Sequence, residues 1–101
     1  MTPDNLAVIP MAARSRFRGT IRYFRPELAA GLAVVDIPKD VTAVLGGLKQ
    51  MRVSGVVNGV EFTSNTMPAG GGILALSMSR KLLDAAGLNV GDKADIELER
   101  A

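Results

Sequence analysis

The sequence predicts an all-β fold, a small closed β-barrel of about six or seven strands with two short helices and a pseudo-twofold internal repeat. Three observations carry this prediction. Several segments alternate apolar and polar residues with period two, which is typical of half-buried strands. Asn58-Gly59 separates two such segments, as a tight hairpin requires. A strand, short helix, glycine, turn and strand occur twice, offset by 41 residues.

The first half of the chain supplies two strands and a helix. In "SRFRGTIRYF", Phe17, Gly19, Ile21 and Tyr23 share one face while arginines occupy the other. "LAVVDI" is a short apolar strand. "PKDVTAVLGG" predicts a helix, because Pro38 suits a first turn and the glycines end it.

The second half supplies a hairpin, a strand, a helix and a last strand. "MRVSGVVNGVEFTSN" forms the hairpin, and Met67-Pro68-Ala69-Gly70 predicts a β-turn with proline at its second position. "GILALSM" is a strand. "SRKLLDAAG" predicts a helix with Ser79 as N-cap. "GDKADIELE" predicts a turn into the last strand.

The repeat aligns "VVDIPKDVTAVLGG" with "ALSMSRKLLDAAGL", so that Val35 falls on Leu76 and Gly46 on Gly87. Neither copy buries its apolar face alone, whereas two copies closing on each other also remove exposed sheet edges. We therefore expect one barrel domain over residues 16–101. Residues 1–15, interrupted by two prolines, are predicted to be a flexible N-terminal arm.

Composition narrows the function classes. The 101 residues include no Cys and no His, which removes thiolate nucleophiles, imidazole bases and the usual zinc sites. We therefore predict no catalytic residues, no metal and no cofactor. The formal net charge is only +2, although residues 1–25 contribute five Arg against one Asp. No apolar stretch has the length of a membrane span, so the prediction is a cytoplasmic protein without a membrane partner.

The stretch "MPAGGGILALSMSRK" contains the leading candidate site. The glycines precede a strand and no lysine follows at the required spacing, so they do not form a Walker-type phosphate loop. They permit instead a bulge or a close approach of two backbones. Two cations at the start of a helix interact unfavourably with the helix dipole. A bound anion would reverse the sign of that interaction. The predicted ligand-binding residues are Thr63, Ser64, Asn65, Gly70, Gly71, Gly72, Ser79, Arg80 and Lys81.

A rival hypothesis is nucleic-acid binding through Arg14, Arg16, Arg18 and Arg22, which alternate along the first strand. Its ordinary alternative is a charged edge strand that resists aggregation. On the last strand Asp95, Glu97 and Glu99 share a face, as expected of a solvated surface or, alternatively, of a hard-cation site.

The segment "VSGVVNGVEF…MPAGGGILALSMSRKLLDAAGLNVGDKADIELE" resembles the bacterial and archaeal family named domain of unknown function 1905 (DUF1905) over about residues 16–99. The resemblance implies a small double-split barrel and no established activity. This chain has Thr63 where many members carry an arginine, and Ile73 where a histidine or tyrosine is frequent. The tail is also similar to AbrB-type swapped-hairpin regulators, which build a DNA-binding barrel from two chains.

These observations predict a non-enzymatic small-ligand or anion-binding or interaction module. Its predicted partner is an unidentified small molecule or anion, and its predicted state is a monomer or weak homodimer. The alternative is a DNA-binding regulator of the AbrB-like barrel class, although likeness of fold is a weak argument for function.

Overall fold

A computed structural model describes residues 14–25 and 31–101 of the chain. Within them lie six strands and two helices. The strands are β1 (Ser15–Tyr23), β2 (Ala33–Ile37), β3 (Arg52–Val57), β4 (Val60–Gly70), β5 (Ile73–Met78) and β6 (Lys93–Arg100), and the helices are α1 (Lys39–Leu45) and α2 (Arg80–Ala86). Residues 1–13 of the predicted arm lie outside the described residues. β1 begins at Ser15, one residue before the predicted start of the barrel domain.

The strands close into an antiparallel barrel in the order β1-β2-β5-β4-β3-β6, which confirms the predicted fold class. Two long strands change partners along their length. β1 pairs with β6 through its first part and with β2 from Ile21 onward. β4 pairs with β3 up to Asn65 and with β5 from Thr66 onward. The barrel therefore consists of two sheets that share β1 and β4.

The barrel interior is filled mainly by aliphatic side chains, as the small number of aromatic residues requires. Alternation along β1 buries Phe17 and Ile21, as predicted. The largest fully buried side chains are Ile21, Ile37, Leu45, Leu74, Leu76, Met78, Ile96, Leu98, Val34, Val35, Val53 and Val57. Buried hydroxyls satisfy backbone groups near the barrel ends: Thr66 Oγ1 accepts from Met51 N at 3.1 Å and donates to Lys49 O at 3.2 Å.

The Asn58-Gly59 hairpin is confirmed. Both residues have positive φ, 48° and 80°, and they join Val57 of β3 directly to its partner Val60 of β4.

The predicted turn at Met67–Gly70 is wrong. β4 continues through Gly70, and the chain reverses at Gly71-Gly72, which have φ values of 66° and 79°. The register shifts between Pro68 and Gly70, so the extra residue is a bulge in β4. A strand tolerates proline at such a bulge, while consecutive positive φ angles favour glycine where the chain reverses.

Both helices begin and end where the sequence indicates. Ser79 caps α2, its Oγ accepting from Leu82 N at 3.1 Å, and Gly87 ends it in the left-handed conformation. Pro38 precedes α1 and Gly46 follows it. Neither helix in the described part of the chain is long and apolar enough to cross a membrane.

The registers bear on the predicted repeat. Val35 pairs with Leu76 and Val56 with Glu97, both 41 residues apart, and the two helices start at positions 39 and 80. Exchanging β1, β2 and β3 with β4, β5 and β6 leaves the strand order unchanged. These are relations that a twofold duplication requires, and the duplication itself stays a prediction.

Candidate functional site

A groove runs between the first half of β4 and helix α2. We call it the β4–α2 groove, and it has a volume of about 330 Å³. Its lining residues are Val60, Glu61, Phe62, Thr63, Ser64, Ser77, Ser79, Lys81, Leu82 and Ala85. Every one of them lies within the described part of the chain.

The groove exists because β5 ends early. Thr66 of β4 pairs with Leu76, but β5 stops at Met78 and the chain turns into α2 at Arg80. The five residues of β4 before Asn65 therefore have β3 on one side and the helix on the other. A side chain bridges the point of divergence, since Ser64 Oγ donates to Ser77 O at 2.6 Å.

The groove combines an apolar floor with polar walls. Phe62 is half-buried and packs against the barrel core, and Leu82 is buried at the base of α2. Thr63 Oγ1 accepts from Arg52 Nη2 at 3.5 Å. Such a surface suits a ligand that has both an apolar body and polar groups.

Two opposite charges line the groove without meeting. Lys81 and Glu61 are both exposed, and neither belongs to an ion pair among the described residues. An anionic group in the groove would therefore find an available cation at Lys81 and would be repelled by the carboxylate of Glu61.

The structure brings together four of the nine predicted ligand residues, Thr63, Ser64, Ser79 and Lys81, along this groove. Asn65 is exposed at the end of the β3 pairing and does not line it.

Arg80 points to a different cavity of about 270 Å³, which it lines with Asp84 and Leu88. Gly31, on the wall of that cavity, directly follows residues 26–30, which lie outside the described residues.

Gly70, Gly71 and Gly72 lie at the far end of β4, away from the residues that line the groove. The position that a Cβ would take on Gly72 is 3.5 Å from Lys39 Cε of α1.

The N-terminus of helix α2 does not by itself form an anion site. Helix α2 has seven residues, and the Ser79 side chain already accepts from one of its first backbone N–H groups. The position of Lys81 on the groove wall is the part of the predicted anion site that the structure supports.

Six residues of the groove were not among those predicted: Val60, Glu61, Phe62, Ser77, Leu82 and Ala85. The alternation of "VEFTSN" does place Phe62 on the face opposite Glu61 and Thr63. It does not show which edge of the strand lacks a neighbour, because that depends on where β5 stops.

The predicted arginine stripe is matched by carboxylates on neighbouring strands. Arg14 bonds to Glu97 and Glu99 at 3.4 and 3.2 Å, Arg16 to Glu97 at 2.6 Å, and Arg18 to Asp95 at 3.0 Å. The hydrogen bond that Arg14 donates to Glu99 is the largest cause that raises the pKa of Arg14 above its ordinary value.

These pairs follow from the antiparallel register, since Arg16 lies directly opposite Glu97 and Arg18 opposite Asp95. The acidic face of β6 is thus a partner for arginines. Within residues 14–25 and 31–101 no group of three potential metal ligands of the His, Cys, Asp or Glu type comes together. β1 is paired over different residues on its two sides, Ser15–Thr20 with β6 and Ile21–Tyr23 with β2, so the charged edge-strand explanation of the stripe stays a prediction.

Arg22 has a separate role from the other arginines. Its Nε and Nη2 atoms hold both oxygens of Asp36 at 3.0 and 2.8 Å, and Nη1 donates to Tyr23 O and Phe24 O. The hydrogen bond to Asp36 raises the pKa of Arg22 above its ordinary value. The side chain therefore fixes the end of β1 against β2.

Most of the chain matches the model of a known protein family. The model of "Domain of unknown function (DUF1905)" matches residues 17–98, most of the chain and nearly all of the barrel. The chain belongs to the DUF1905 family. That membership confirms the resemblance carried by the hairpin, the glycine triplet and the α2 region, and it leaves the activity of this DUF1905 barrel open. No curated protein matches the chain.

Proposed function

We propose that this DUF1905 barrel is a non-enzymatic binding module whose site is the β4–α2 groove, and that it takes a ligand bearing an anionic group. The observation that carries the proposal is the meeting of Thr63, Ser64, Ser79 and Lys81 along one groove with an apolar floor. An anionic group would contact Lys81, while the rest of the ligand would cover Phe62 and Leu82.

The nucleic-acid alternative has no comparable support. Its four arginines each contact a carboxylate at 3.4 Å or less, so the stripe offers little unbalanced positive charge to a phosphate backbone. The same carboxylates would repel a phosphate backbone, so DNA would have to displace them to reach the arginines.

An NMR titration of the ¹⁵N-labelled full chain tests the proposal. The probes are phosphate, a mononucleotide, acetate and benzoate, each raised to about 10 mM, which detects millimolar affinity. We expect amide shifts concentrated at residues 61–64 and at Lys81, largest for benzoate because it also covers the apolar floor.

Two lysine variants make the titration specific. Lys81→Ala should abolish the shifts. Lys39→Ala removes an exposed lysine of the other helix, beside Gly72, and should leave them unchanged. The proposal fails if no probe shifts the groove amides, or if the shifts are equal in both variants.

A further inference from the structure

The edge of β4 that faces the groove has free backbone groups. Hydrogen bonds alternate along an antiparallel strand, so every second residue directs its N–H and C=O toward one neighbour. Thr66 N donates to Met51 O at 2.9 Å, which assigns the even-numbered residues of β4 to the β3 side. Glu61 and Thr63 consequently direct their N–H and C=O groups away from β3 and into the groove.

No strand meets that edge within the described part of the chain. Extending the β4–β5 register beyond the Thr66–Leu76 pair would place Ser79 opposite Thr63 and Lys81 opposite Glu61. Those two positions belong instead to the cap and first turn of α2. No backbone hydrogen bond joins Glu61 or Thr63 to α2. The N–H and C=O groups of Glu61 and Thr63 thus have no hydrogen-bond partner within the described part of the chain, and a ligand could pair with them.

We propose that the β4–α2 groove takes an extended peptide segment of a partner protein, which adds to β4 as an extra strand beside Glu61 and Thr63. This inference rests on the proposed function and names its ligand class. Strand addition supplies affinity through main-chain hydrogen bonds, while pockets for alternate side chains supply specificity.

Side-chain chemistry around the edge defines the peptide. Lys81 fits an acidic residue, and the carboxylate of Glu61 fits a basic or polar one, so the recognised segment carries both. An apolar residue pointing inward would cover Phe62 and Leu82. A simple inorganic anion could accept from Lys81 and from the free N–H groups, but it would leave the free C=O groups unpaired and the apolar floor uncovered.

A partner peptide fits the groove better than a second copy of the chain. In a second copy the same edge of β4 also stands beside its own α2, so two such edges cannot approach each other without displacing both helices. A single extended segment brings one strand to the groove and no second helix.

Display of random heptapeptides against the full-length protein tests the inference. Selected peptides are synthesised and their binding is measured by fluorescence anisotropy. We expect sequences that combine an acidic residue with an apolar residue at alternate positions. Methylation of the peptide backbone nitrogen at every second position should weaken binding at least about tenfold, and methylation at the intervening positions less than about twofold.

A matched pair of protein variants locates the edge. Thr63→Pro removes the N–H that faces the groove and leaves the β3 hydrogen bonds intact, because proline is tolerated on the open side of an edge strand. Peptide binding should be at least about tenfold weaker in Thr63→Pro than in Thr63→Ala, which loses the same side-chain hydroxyl but keeps the N–H. If Thr63→Pro does not fold, the methylation series on the wild-type protein decides alone.

Several results overturn the inference. They are the absence of any enriched peptide, equal binding to wild type and Thr63→Pro, and indifference to backbone methylation. Dimerisation that shifts the groove amides would make a second copy the occupant and would also overturn it. If small carboxylates still shift the groove amides while peptides fail, only the peptide class is rejected. If both fail, the proposed function falls as well.

Discussion

Gly19 of β1 lies directly against the side chain of Val35 of β2. Its φ is not positive, so its role is steric. A Cβ built on Gly19 would lie 2.5 Å from Val35 Cγ1, against an optimum of about 3.5–4.0 Å for two carbon atoms. Val35 is fully buried and cannot move into solvent. Gly19→Ala should therefore destabilise the barrel by about 1–3 kcal/mol, the usual cost of overpacking.

Removing the opposing methyl groups should relieve that cost. Val35→Ala alone loses about 2 kcal/mol through the cavity it leaves. The double variant gains the space for the new methyl, so its loss should fall short of the sum of the single losses by about 1 kcal/mol or more.

Gly55→Ala serves as the contrasting variant. Its Cβ would overlap the carbonyl oxygen of Glu97, and no side-chain substitution removes a backbone atom, so Gly55→Ala should cost more than Gly19→Ala.

Urea denaturation followed by circular dichroism gives all of these free energies of unfolding. Additive losses for Gly19→Ala and Val35→Ala, within about 0.5 kcal/mol, would refute this account of the barrel wall.

Three further predictions concern single contacts, each measured by urea denaturation. Thr66→Val should cost about 1–3 kcal/mol, because it leaves the N–H of Met51 buried without its acceptor, and Thr66→Ser should recover most of the loss. Ser79→Ala should cost about 1 kcal/mol through the lost N-cap, and Ser79→Asp should be nearly neutral. Arg22→Lys should cost about 1 kcal/mol or less, because the paired groups are partly exposed. The hydrogen bond to Asp36 raises the pKa of Arg22, so the stabilisation by this pair is fully present below the ordinary guanidinium pKa. It is lost only as the pH rises through the pKa of Arg22 in the folded state. The cost of Arg22→Lys should therefore stay constant from about pH 6 to 9.

Local patterns predicted the elements of this fold well. Period-two alternation located β1 and β6, and Asn58-Gly59 located the hairpin, because each depends on neighbouring residues alone. The turn before β5 was misplaced because two signals competed. Proline favoured a reversal at Pro68, while the glycines allowed it at Gly71-Gly72, and the bulge let proline stay in the strand.

The site was only partly predictable. Ser79 and Lys81 were indicated by the start of α2, but the partners they meet depend on the β4–β5 register. Arg80 follows Ser79 in sequence and yet lines a different cavity, because adjacent residues on a helix point in different directions. The alternation of the β1 arginines did not show their partners either, because only the register places Glu97 opposite Arg16 and Asp95 opposite Arg18.

Amide hydrogen exchange measured residue by residue along β4 tests the open edge most directly. Protection should alternate: the amides of Glu61 and Thr63 are expected to exchange at least about tenfold faster than those of Phe62 and Ser64, which bond to β3. Equal protection at all four positions would mean that the edge is already occupied within the molecule, and it would contradict the account of the groove as a binding site.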